Sequence, residues 1–210
     1  MKKIFRLVVL ASFISLSSSA QNDSDAQKIL DQASIKLKNS KAVTASFSFT
    51  QRDKANHLLE STKGILKIKG NKYYLKQDGT ESFCNGIQTW NFDGQNEVTV
   101  SKVDNNDVND LSPQQLLSGF NKADFSFKTV SSAGTSYQIQ LLPVDKRKNF
   151  KQLLLFVNKS TNLITKAKIT DKTDNSTEIA FSNINLNASV PDAQFSFDVS
   201  KHPGVEVINQ

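Results

Sequence analysis

Few side chains in this sequence could do chemistry, and their spacing argues against most of it. Asp104, Asp107 and Asp110 cluster in a polar, Asn/Asp-rich stretch. Carboxylates at that spacing could gather around calcium, but the stretch lacks the Gly and closing Glu of an EF-hand loop. A solvated loop is the expectation. Asp171 and Asp174 flank a turn, where short acidic side chains are ordinary. His57, His202 and Cys84 are the only residues of their types, too few and too scattered for a zinc site. A single cysteine makes no intramolecular disulfide, and Cys84, beside Phe83, reads as a small core residue. No Gly-x-Ser-x-Gly elbow and no Gly-rich phosphate loop opening a helix is present. No enzyme activity, catalytic residue, metal or cofactor is expected. A hydrolase built on the acidic residues would need paired carboxylates of raised pKa in a cleft.

What remains is apolar surface. The segment Val43-Thr44-Ala45-Ser46-Phe47-Ser48-Phe49-Thr50 alternates cleanly, so Phe47 and Phe49 share one face with Val43 and Ala45. Leu66, Ile68, Tyr74, Trp90, Phe92, Leu116 and Leu117 could join that face. The sequence has 14 Phe against 3 Tyr and 1 Trp, which suits a thick core or an apolar cavity. Parity says which residues share a face; it does not say whether protein or a guest fills it.

The elements that position these residues are mostly strands. Runs at 64–69, 72–76, 87–92, 97–103, 125–130, 137–142, 150–157, 163–171, 177–187 and 195–199 follow the first. Turns such as Asp78-Gly79, Asn85-Gly86 and Asp93-Gly94 separate several of them. About a dozen strands with short connections predict one large antiparallel sheet that curls toward a barrel. Two segments read as helix. The first spans Asp25 to Asn39, with Ser24 as N-cap and an apolar stripe of Ala26, Ile29, Leu30, Ala33 and Leu37. The second is short, Pro113 to Gly119, carrying Leu116 and Leu117.

The N-terminus says where the protein works. Lys2, Lys3 and Arg6 precede an apolar run from Leu7 to Leu16, and Ser18-Ser19-Ala20 supplies small residues for cleavage. The run is too short to span a membrane, which takes about 20 residues. Residues 1–20 are expected to be a signal peptide cleaved after Ala20, leaving one exported domain over 21–210. The full sequence has 26 basic and 20 acidic residues; removing three basic ones leaves 23 against 20, a surplus of three. That surplus, without a long Lys/Arg run, gives no ground for a nucleic-acid partner.

Several pieces in register resemble the periplasmic outer-membrane lipoprotein carrier family. They are the N-terminal helix followed by Ser48-Phe49-Thr50-Gln51, then Gly64-Ile65-Leu66-Lys67-Ile68-Lys69, and Asn85-Gly86 with Trp90-Asn91-Phe92. Pro113 to Gly119, Leu142-Pro143 with Phe150-Lys151-Gln152, and Phe195-Ser196-Phe197 with Pro203-Gly204-Val205-Glu206-Val207 complete the set. The resemblance implies an incomplete, half-open β-barrel with a small α-helical lid over an apolar cavity. It implies a monomeric carrier that takes lipoproteins from an inner-membrane ATP-driven transporter and hands them to an outer-membrane receptor. On that reading Phe47, Phe49, Leu66, Ile68, Tyr74, Trp90 and Phe92 line the cavity for acyl chains, and Leu30, Leu37, Leu116 and Leu117 belong to the lid. Many members carry an Arg after the second strand that is linked to lid closure. Lys69 stands near that position and cannot make an Arg's forked contacts, so no latch is carried over. The alternative on the same fold is an envelope lipid or lipophile carrier, or a lipid-sensing regulator.

Overall fold

Alternation in Val43–Arg52 makes a strand with Val43, Ala45 and Phe47 buried on one side, and this strand, β1, organises the sheet. A computed structural model describes residues 23–103, 116 and 123–210. The expected signal peptide, the Asp104–Asp110 loop and the second helix apart from Leu116 lie outside the described residues. After α1 (Ser24–Lys38) and β1 come β2 (Leu58–Lys69), β3 (Lys72–Gln77), β4 (Thr80–Cys84), β5 (Gln88–Phe92) and β6 (Glu97–Lys102). Then follow β7 (Phe125–Ser131), β8 (Ser136–Pro143), β9 (Phe150–Asn158), β10 (Ile164–Asp171), β11 (Ser176–Asn185) and β12 (Glu206–Asn209). The order across the sheet is β12-β6-β5-β4-β3-β2-β1-β11-β10-β9-β8-β7. It is one open, curled sheet of 12 strands, as expected from the close spacing of strand and turn signals.

Several details differ from the sequence reading. β12 pairs with β6 in parallel, Val207 opposite Val98, so the sheet is not wholly antiparallel. The C-terminal segment crosses the outside of the sheet before it joins the edge, and it arrives in the direction of β6. β4 falls between the Asp78-Gly79 and Asn85-Gly86 turns and has no alternation long enough to announce it. β2 begins at Leu58, ahead of its apolar stretch, because pairing with β1 carries the polar residues along. Phe195-Ser196-Phe197 alternates like a strand, but Asp192–Phe195 and Val199–Lys201 are short 3-10 helices. The N-cap of α1 is Asp23, not Ser24: its carboxylate accepts from the N–H groups of Asp25 (2.9 Å) and Ala26 (3.2 Å).

Apolar residues gather on both faces of the sheet. The inner cluster joins α1 through Ala26, Leu30 and Ala33 to β1, β2 and β7–β11. The outer cluster packs Tyr74, Phe83, Phe92 and Val98 under Phe195 and Phe197 of the C-terminal segment. Cys84 is buried at 3 % exposure, as expected of a small core residue.

Candidate functional site

The inner face is built outward from Phe47. Its cross-strand partners are Gly64 on β2 and Phe181 on β11. Two residues along, Phe49 stands opposite Ile179; in the other direction Ala45 faces Leu66 and Val43 faces Ile68. Directly opposed residues lie on the same side of a sheet. Phe47, Phe49, Leu66 and Ile68 therefore share one surface, continued by Ala167 and Leu155 across β10 and β9.

The register sends Tyr74, Trp90 and Phe92 elsewhere. Leu66 pairs with Leu75 and Lys67 with Tyr74, so Tyr74 sits on the side of Lys67, away from Leu66. Tyr74 pairs with Phe83, Phe83 with Trp90, and Glu81 with Phe92, which keeps all of them on the outer face. There Phe197 covers them, with ring centroids 5.7 Å from Phe83 and 5.2 Å from Phe92. The seven residues expected to line one cavity are thus four on the inner face and three beneath the C-terminal segment.

That outer packing has its own polar fastening. Tyr74 donates its hydroxyl to Glu81 (2.8 Å), which also accepts from Lys76 (2.7 Å). Burial pushes the Tyr74 hydroxyl pKa up, and its bond to Glu81 adds to the rise. Burial opposes ionisation of Glu81, but the bonds from Lys76 and Tyr74 outweigh it and hold the carboxyl below its usual range. Lys69 and Lys72 both donate to Asp192, at 2.7 and 2.9 Å. Lys69 therefore clamps the C-terminal segment to the outer face and is not directed at the helix over the inner one.

α1 roofs part of the inner face. Leu30 is buried, Leu37 packs partly buried against the same cluster, and Leu116 joins it from the second predicted helix. Leu117 lies outside the described residues. In the same cluster Phe47, Leu66 and Ile68 are buried, at 6, 2 and 7 % exposure. Phe49, Tyr73, Leu75, Ile169 and Ile179 are only partly buried and continue the apolar surface beyond them. The helix packs on the sheet through Ala26, Leu30 and Ala33, with Ile29 and Leu37 partly buried beside them. Its polar tethers sit at its ends. Asp23 donates its N–H to Phe127 O (3.1 Å) and accepts from the Thr129 N–H (3.0 Å), while Lys36 donates to Thr161 O (2.6 Å). The Thr129 N–H, more than any other group, lowers the Asp23 carboxyl pKa to about 2. Sequence reasoning missed Asp23, because Ser24 offers the commoner capping signature one residue on.

Among the described residues no group of three or more His, Cys, Asp or Glu is placed to hold a metal ion. None of their helices is long and apolar enough to cross a membrane. An open, curled sheet with an apolar inner face partly roofed by one helix is the class of fold this chain adopts.

The comparisons with known proteins agree with that class. The family model described as "Outer membrane lipoprotein carrier protein LolA" matches residues 38–198, and the chain belongs to this family. Among similar proteins, the outer-membrane lipoprotein carrier protein of Idiomarina loihiensis is 26% identical over 201 residues, covering 93% of each chain. That of Pseudomonas aeruginosa is 28% identical over 217 residues, covering both chains completely. Among solved structures, an uncharacterized conserved protein from Thermus thermophilus superposes with a TM-score of 0.58 at 12% identity. The match covers 89% of this chain and 99% of that one, and the two share the fold.

Proposed function

We propose that this protein is a non-enzymatic periplasmic carrier that shields the acyl chains of lipoproteins on its inner face. It is exported by residues 1–20, cleaved after Ala20, and works as the single domain 21–210. It accepts cargo from an inner-membrane ATP-driven transporter and delivers it to an outer-membrane receptor. The observation that carries this reading is the apolar cluster that joins α1 to Phe47 and runs on to the partly buried Phe49 and Ile179.

The physics suits that role. Burying a methylene is worth about 0.8 kcal/mol, so a chain of about fifteen represents roughly 12 kcal/mol that water alone would oppose. A surface of Phe, Leu and Ile covers such chains without exact hydrogen bonding and without covalent chemistry. Release demands limited affinity. Seating a guest beneath α1 must displace the helix and Leu116 from the cluster they share with Phe47 and Leu66, and that displacement lowers the apparent affinity.

The purified protein should take up a fluorescent acyl probe. Phe49→Glu should abolish uptake while leaving the fold intact, since Phe49 is only partly buried. A crosslinkable residue at position 49 should capture lipoproteins in living cells. Capture of free lipid with no lipoprotein would favour the lipid-carrier alternative, and normal uptake by Phe49→Glu would refute the proposed surface.

A further inference from the structure

The β1–β2 hairpin carries a feature that acyl binding does not use. β3 stops pairing with β2 at Gln77–Gly64, so Leu58–Lys63 run on with β1 as their ladder partner. At about 3.4 Å per residue, this stretch takes β2 roughly 20 Å past the β3–β4 turn. Near the tip the register slips: Gln51 pairs with Glu60 but Arg52 with Leu58, leaving Leu59 as the bulged residue. A regular strand sends neighbouring side chains to opposite faces, and a bulge breaks that alternation. Leu58 and Leu59 are each 56% exposed.

Cations surround this apolar pair. Arg52, cross-strand partner of Leu58, and Lys168 line a cleft of about 330 Å³ with Thr50, Asn56, Ser176 and Glu178. Lys54 is exposed in the adjoining turn. Of the nearby acids, Asp53 pairs with His57 (2.9 Å) and Glu178 with Lys166 (3.4 Å), while exposed Glu60, opposite Gln51, falls on the other face of the hairpin from Arg52. Among the described residues neither Arg52 nor Lys168 belongs to an ion pair. Arg52 donates to Asn56 O at 3.1 Å, which fixes the guanidinium beside the turn.

We propose that this tip docks on an anionic phospholipid bilayer. Leu58 and Leu59 enter the interface, while Arg52, Lys54 and Lys168 meet the phosphates. Two leucines are too little apolar surface to seat a protein partner but match the pairing of apolar and basic side chains that holds peripheral segments at a membrane surface. Thr50, Arg52, Lys168 and Glu178 share the face of the sheet opposite Phe49 and Ile179, so docking sets the outer side of this end against the lipid. The inference stands apart from the carrier reading, because the vesicles that test it contain no lipoprotein.

The protein purified after export is mixed with phosphatidylglycerol–phosphatidylcholine vesicles or pure phosphatidylcholine vesicles and sedimented. It should pellet with the first, less so as salt rises, and stay with the supernatant in the second. L58S/L59S should weaken the partition about tenfold or more. R52Q/K168Q should weaken it by more than tenfold, at about fivefold per cation. A second reporter is L59W in a W90F background, whose emission should shift to the blue when anionic vesicles are added. The proposal is overturned if the wild-type protein ignores anionic vesicles at low salt, or if L58S/L59S folds and pellets like wild type. It is equally overturned if Leu58 and Leu59 prove necessary only for binding a protein.

Discussion

Phe47 lays its ring across Gly64, its partner on the neighbouring strand. A Cβ at position 64 would stand 2.5 Å from Phe47 Cζ and closer still to the Lys76 carbonyl oxygen. Gly64 is therefore required by space: the strand interior gives up a side chain so that the aromatic ring can lie flat on the backbone. Gly64→Ala should cost about 1–3 kcal/mol by overpacking, and Phe47→Ala about 3–5 kcal/mol. In a double-mutant cycle by chemical denaturation, Gly64→Ala should cost less once Phe47 is truncated. Strict additivity would mean that the two residues do not constrain each other.

Asp23 fastens the start of α1 to the edge strand β7. Asp23→Ala should lower stability by about 1 kcal/mol, the usual worth of an N-cap. Because it loosens the helix over the inner face, it should also tighten acyl-probe binding, measured by fluorescence titration. Asp23→Asn gives the pH test. The folded carboxyl titrates at about 2, below the ordinary 3.8. Its charge-dependent contribution is complete above about pH 4 and disappears as pH falls through about 2. The stability gap between wild type and Asp23→Asn should narrow across that window.

The C-terminal segment is structural cover. Phe195 is fully buried against the outer face, so Phe195→Ala should cost about 3–5 kcal/mol. Asp192→Asn removes the charge and one of the two carboxylate oxygens that accept from Lys69 and Lys72, and should speed amide exchange around residues 192–197 without changing probe affinity. A large loss of probe binding in Asp192→Asn would mean that the clamp also governs the inner face.

The buried Cys84 thiol should resist aqueous alkylating reagents in the folded protein and react on denaturation. Labelling at the rate of a free thiol in native buffer would contradict its burial between β3 and β5.

The sequence disclosed within-strand parity far better than parity between strands. Alternation alone put Phe47 with Phe49 and Leu66 with Ile68. Whether Tyr74 joins them depends on the Lys69–Lys72 turn, which sets Leu66 opposite Leu75 and leaves Tyr74 beside Lys67. Trp90 and Phe92 inherit that choice through two further hairpins. Asp-Gly turns announced the hairpins but not their registers, so an error of one residue moves a whole aromatic set across the sheet. The 3-10 helices escaped notice for a related reason. Phe195 and Phe197 alternate because the outer face needs two anchors, and a strand pattern results without a strand.

The parallel junction of β12 with β6 bears on how the sheet is completed as the chain folds. Residues 206–209 finish it at its far side, and the segment before them is the cover for Tyr74, Phe83 and Phe92. Until that segment docks, the aromatic patch stays wet and sticky. Deleting residues 192–209 would prolong this vulnerable interval and should show up first as aggregation.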